Sequence, residues 1–170
     1  MSEAPRESLY RVRWTLLALG AGLLPHALHL PPWIIAAVMA AALWRLVIAH
    51  RQRPLPGRAL RVLGAVLALF AVLASYRTIN GLDAGTALLA LMAALKLLET
   101  RTLRDHVLLI LIGSFLLLAA ILYDQSLLLL PYYALATWLG VTALCAVTRA
   151  SGIMPWRRAL AMSGRMLLQA

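Results

Sequence analysis

Residues 96–105, Lys-Leu-Leu-Glu-Thr-Arg-Thr-Leu-Arg-Asp, stand between two apolar runs at 84–95 and 107–123. Five of those ten residues are charged: Lys96, Glu99, Arg101, Arg104 and Asp105. Hydrocarbon offers no water to backbone or charge, so a chain crossing it bonds its own backbone in a helix and leaves its ions at the turns. An ion cluster squeezed between two hydrophobic stretches is therefore the turn of a helical hairpin in a bilayer. The rest of the chain repeats this arrangement with less charge. Composition agrees. The chain is 63% hydrophobic and 13% charged, against about half and a quarter in soluble domains. A soluble 170-residue domain has too much surface to wet to absorb that excess.

A span needs about 17–25 residues to cross roughly 30 Å of hydrocarbon. On that scale the expected fold is all-α: a polytopic integral membrane helical bundle of about six short transmembrane helices, at residues 14–30, 33–48, 60–76, 81–98, 107–123 and 127–147. The third and fourth reach length only if Arg58, Arg61 and Lys96 lie at the headgroups. Pro25 kinks the first span and Pro31-Pro32 turns it into the second. Asn80-Gly81 and Asp124-Gln125-Ser126 mark two further turns. Residues 1–13 form a cytoplasmic N-terminal segment. Residues 148–170 read as a basic cytoplasmic segment leading into a truncated seventh span, which makes the chain the front part of a longer protein.

Arginine and lysine gather in alternate connections. The N-terminal segment (Arg6, Arg11, Arg13), the loop from Arg45 to Arg61, the 96–104 turn and the tail from Arg149 carry almost all of them. The intervening connections hold Arg77, Asp83 and Asp124. By the positive-inside bias the basic side is cytoplasmic, both ends of the chain included. The net charge of +10 is explained by the same bias, and with no basic face or binding module nucleic acid is not an expected partner. The lipid bilayer is.

Lys96 and Glu99 are three apart and Arg101 and Asp105 four apart, spacings at which helix-face charges pair. The cluster reads first as a structural turn and second as a docking or headgroup site. Gly81 and Gly85, with Ala36, Ala40, Ala90 and Ala94, have the small-residue spacing that suits close helix contact. His26 and His29 are too few to hold a metal, and His50 and His106 read as flank residues. Cys145 lies in an apolar run that disfavours a thiolate. With no nucleophile–base–acid set, phosphate loop or HExxH, no catalytic residue, metal or cofactor is expected in these 170 residues.

The run from Asn80 to Leu127 resembles the N-terminal membrane region of the TgpA-like bacterial membrane-bound transglutaminases (protein-glutamine γ-glutamyltransferase, transglutaminase-like superfamily). The matching features are the Gly81-x-x-x-Gly85 entry, Lys96 with Glu99, Arg104-Asp105, and the Phe115…Tyr123-x-Gln125-Ser126 exit. The resemblance implies an anchoring and positioning module, followed by an extracytoplasmic domain with a Cys-His-Asp triad to which Cys145 does not belong. A small transporter or channel-like protein and a membrane assembly scaffold are the alternatives; a protein partner or homo-oligomer stays open. A topology reporter joined after Val147 should behave as cytoplasmic, and its export would overturn the six-span count.

Overall fold

The computed structural model describes residues 3–51, 57–76, 81–149 and 156–169. Helices make up nearly all of it, with no strand among the described residues. They are α1 (Glu3–Leu23), α2 (Pro32–Arg51), α3 (Arg58–Tyr76), α4 (Leu82–Glu99), α5 (Leu103–Tyr123), α6 (Leu130–Thr148) and α7 (Trp156–Gln169). Single 3₁₀ turns at Leu24–Leu28 and Leu127–Leu129 end α1 and lead into α6. Helix α1 starts eleven residues before the expected span, at Glu3 rather than residue 14, because the one proline of that polar segment, Pro5, falls in the first turn, where it breaks no helix.

Among the described residues three segments are long and apolar enough to cross a membrane: Pro32–Arg51, Leu103–Tyr123 and Leu127–Thr148. The other expected spans fall short for local reasons. Helix α1 is polar at its start and stops before Pro25. The apolar part of α3 is only Val62–Tyr76, and α4 carries Asp83, Lys96 and Glu99 within its 18 residues.

Helices α1 and α5 form the middle of the bundle. Helix α1 packs on α2, α5 and α6, and α5 also packs on α4 and α6; α2 and α3 lie against α4, and α7 against α6. Helix α4 is buried on two sides by its alanines. Ala87, Ala90 and Ala94 join Ile34, Val38 and Ala41 of α2 and Val72 of α3. Ala93 and Leu97 join Leu19 of α1 and Leu109 and Leu116 of α5. Of the small residues expected at contacts, Ala90 and Ala94 are buried but Ala36 and Ala40 are exposed. Helix α2 turns a neighbouring stripe inward instead, with Ile34, Val38 and Ala41.

Outward-facing stripes are as apolar as the core. Leu63, Leu67 and Phe70 on α3, and Leu111, Phe115, Leu118 and Leu122 on α5, are each 44–63% exposed. In water such continuous stripes would be aggregation surfaces; in hydrocarbon they cost nothing.

Helices α1 and α5 approach closely at two glycines. A methyl placed on Gly22 would strike the Gly113 carbonyl oxygen and lie 2.9 Å from its carbon and 3.1 Å from Cα of Gly113. One on Gly113 would lie 3.2 Å from the Ala18 carbonyl oxygen and 3.2 Å from Leu19 Cα. Backbone meets backbone here, which only glycine permits. Gly81 and Gly85 make no such contact, since a methyl on either would meet nothing within 4 Å. Gly81 instead takes φ 125° as the residue preceding α4, a conformation that favours glycine.

Pro25 explains a second link. It has no N–H to give the Ala21 carbonyl, the acceptor four residues back. The Tyr132 hydroxyl of α6 donates to that carbonyl instead. A neighbouring helix thus completes the bond the proline removes.

Two predictions follow from these contacts. Gly22→Ala should destabilise the detergent-solubilised bundle by about 2–3 kcal/mol and Gly113→Ala by roughly 1. Gly85→Ala, in open space, should stabilise it slightly or leave it unchanged; equal effects at all three sites in thermal unfolding would refute the crossing. Tyr132→Phe should cost about 1 kcal/mol, and clearly less in a Pro25→Ala background, where the backbone regains the N–H that the proline lacks. A double-mutant cycle with no coupling would refute the link.

Candidate functional site

The charged turn joins α4 to α5 in three residues, Thr100–Thr102. Thr102 precedes the first turn of α5, and its hydroxyl accepts from the Asp105 N–H at 3.3 Å. Asp105 Oδ2 in return accepts from the N–H groups of Thr102 at 3.0 Å and Arg101 at 3.1 Å, and from the Thr102 hydroxyl at 2.9 Å. This reciprocal cap fixes the first turn of α5 and places a carboxylate at its N-terminus, where the helix dipole favours it. The other oxygen, Oδ1, takes Lys96 Nζ at 2.9 Å, and the same ammonium lies 3.5 Å from Glu99 Oε2. One ion pair therefore ties the end of α4 to the start of α5.

Two more helices hold the turn from outside. Arg45 of α2, only 7% exposed, donates from Nη2 to the Thr100 carbonyl at 3.0 Å, and Thr100 is fully buried. That carbonyl is one of the orphaned acceptors at the end of α4, so a cation there meets both the carbonyl and the negative end of the helix dipole. Arg45 Nε is buried and finds no hydrogen-bond partner among the described residues. From α1, the Thr15 hydroxyl donates to the Arg11 carbonyl at 2.8 Å and lies 2.8 Å from Nδ1 of buried His106. Since the hydroxyl has one proton and gives it to Arg11, His106 must donate, which fixes its Nδ1–H tautomer.

Of the five charged residues singled out in the sequence, Lys96, Glu99 and Asp105 come together as one network. Arg101 joins it through its backbone N–H, and the side chains of Arg101 and Arg104 are exposed. Arg45, read from sequence as part of the basic loop, and His106, read as a flank residue, are buried instead. The loop supplies an acceptor for the first and α1 a hydroxyl for the second. The Thr102-x-x-Asp105 spacing was the legible signal for the cap.

The opposite end of the bundle has its own polar knot. The Tyr123 hydroxyl donates to Asp83 and lies 3.4 Å from the Thr86 hydroxyl. Fully buried His26 donates from Nε2 to the Leu116 carbonyl at 2.8 Å. The His26 ring meets Tyr123 edge-on at 5.5 Å, and His29 stacks on it at 4.9 Å. The two histidines thus flank the Tyr123 ring. Among the described residues no group of three or more His, Cys, Asp or Glu stands close enough to hold a metal.

These knots orient helices; they bring no nucleophile and base together among the described residues. Residues 14–170 match the family model described as the TgpA N-terminal domain. The chain belongs to that family. It is 34% identical over 175 residues to a protein-glutamine gamma-glutamyltransferase of Pseudomonas aeruginosa, an alignment that takes in 100% of the chain. The chain spans only 25% of that relative's length. No solved structure matches. In this TgpA N-terminal domain the charged turn ties α4 to α5 through Lys96 and Asp105 and leaves Arg101 and Arg104 exposed.

The lock should show in energetics. Asp105→Ala should cost about 2 kcal/mol in thermal unfolding, more than Lys96→Met, because it also releases the cap of α5. The double variant should fall short of the sum by about 1 kcal/mol; strict additivity would refute the coupling.

Proposed function

We propose that this chain is the membrane-anchoring and positioning domain of a transglutaminase-like enzyme whose catalytic domain lies downstream and outside the cytoplasm. The observation that carries the reading is the match of residues 14–170 to the TgpA N-terminal domain, on a helical bundle whose outward faces are apolar. The relative that is a gamma-glutamyltransferase is about four times as long as the aligned stretch, which leaves room for catalysis elsewhere in such a protein.

In this reading α1 to α6 all cross the bacterial inner membrane. The charged groups of α1 and α4 sit at their ends, and the locked Lys96–Asp105 turn lies at the cytoplasmic surface with both ends of the chain. Exposed Arg101 and Arg104 then face anionic headgroups. Helix α7 runs back along α6, held where the Ser163 hydroxyl lies 2.6 Å from Thr142 and accepts from Trp138 Nε1 at 3.0 Å. That contact, two turns inside α6, supports reading α7 as the start of a seventh span that leads outward.

Alkaline phosphatase fused after Gln125 should be active and after Arg149 inactive, while the chain resists carbonate extraction from membranes. Reversed activities would reject the orientation, and release by carbonate would reject the anchor.

A further inference from the structure

An open groove of about 600 Å³ runs along α1 between walls formed by α2 and α6. Its lining is almost wholly apolar, with Leu17 and Gly20 from α1, Leu24 from the 3₁₀ turn after it, Met39 and Leu43 from α2, and Leu135 from α6. Gly20 lies on its floor, and a methyl there would meet nothing within 4 Å. We infer that the groove binds one anionic phospholipid, with an acyl chain laid over Gly20 and the phosphate between Arg13 and His50.

The groove suits a lipid tail. Its lining runs from Leu16 of α1 to Ala27 in the 3₁₀ turn that follows. A hydrocarbon chain, one methylene wide, fits along it, and the volume lies within the usual range for small-molecule sites, about 300–1,000 Å³.

Charge selects the headgroup. On α1, Arg13 continues the stripe of Leu17 and Gly20 one turn beyond the groove. On α2, His50 continues the stripe of Met39, Leu43 and Leu46 in the same way. The two helices are antiparallel neighbours, so these exposed residues sit at the same end. Among the described residues, none that lines the groove is acidic. A phosphate at that end meets a guanidinium and an imidazole donor, with the chain it carries pointing down the slot. At the far end the Tyr132 hydroxyl is already committed to the Ala21 carbonyl, so no headgroup is recruited there.

The inference rests on the membrane reading above, which carbonate extraction tests on its own, whatever lipid stays bound. The purified chain in detergent, offered equal phosphatidylglycerol and phosphatidylcholine, is to be weighed intact by native mass spectrometry. It should retain the anionic lipid at least about fivefold more, as expected for one basic contact near a membrane surface. Arg13→Gln should bring the two lipids close to parity, and Gly20→Phe should remove the adduct. Leu43→Trp, from the exposed opposite wall, should do the same and guards against a Gly20→Phe variant that fails to fold. Equal retention by the wild type, selectivity surviving Arg13→Gln, or an adduct surviving Leu43→Trp would each overturn the site, as would a dimer free of lipid.

Discussion

The contact on which the rest of the bundle hangs is the crossing of α1 over α5 at Gly22 and Gly113. Helix α1 must touch α2, α5 and α6 at once, and it can do so only if its axis lies close to α5. Two side chains removed at the crossing bring the backbones together. In hydrocarbon this matters more than in water, because apolar side chains gain little by leaving lipid for protein and helices are held by fit. The layers of Trp14, Ala18, Ile110 and Ala143 on one side, and of Leu19, Leu97 and Leu109 on the other, are the surfaces that this approach allows to meet.

Polar groups divide the labour by position. The middle of the bundle is almost wholly apolar, while each end carries a knot of ions or rings tying together helices remote in sequence. At one end Arg45, Thr15, Lys96 and Asp105 join α1, α2, α4 and α5. At the other, His26, Asp83 and Tyr123 join the end of α1 to α4 and α5. Such groups add less by net attraction than by the cost of any arrangement that would leave them buried and unmatched. They fix register where lipid-compatible packing alone would permit sliding.

How much of this could be read from residue order differs by element. The hairpin at residues 96–105 was legible because charge between apolar runs has one cheap location. The Asp105 cap was legible in principle from Thr102. The all-helical class followed from the apolar runs, whereas their number as spans did not, since α3 and α4 mix short apolar length with charge. Arg45 and His106 escaped because a basic residue near the end of an apolar run looks like an interfacial anchor. Only the Thr100 carbonyl and the Thr15 hydroxyl, far off in the chain, make them core. Gly22 and Gly113 escaped for a similar reason: a glycine's value depends on which helix faces it. The Gly81-x-x-x-Gly85 spacing, by contrast, imitated a contact motif while serving as a helix start.

The bond from Tyr132 to Ala21 gives positions 25 and 132 a shared history to expect. A proline at 25 is tolerable while a hydroxyl stands at 132, and the hydroxyl matters while the proline is there. Drift at either position should therefore be conditional on the other, with the proline lost first and the tyrosine freed afterwards. In related chains, phenylalanine opposite an intact proline should be the rarest pairing.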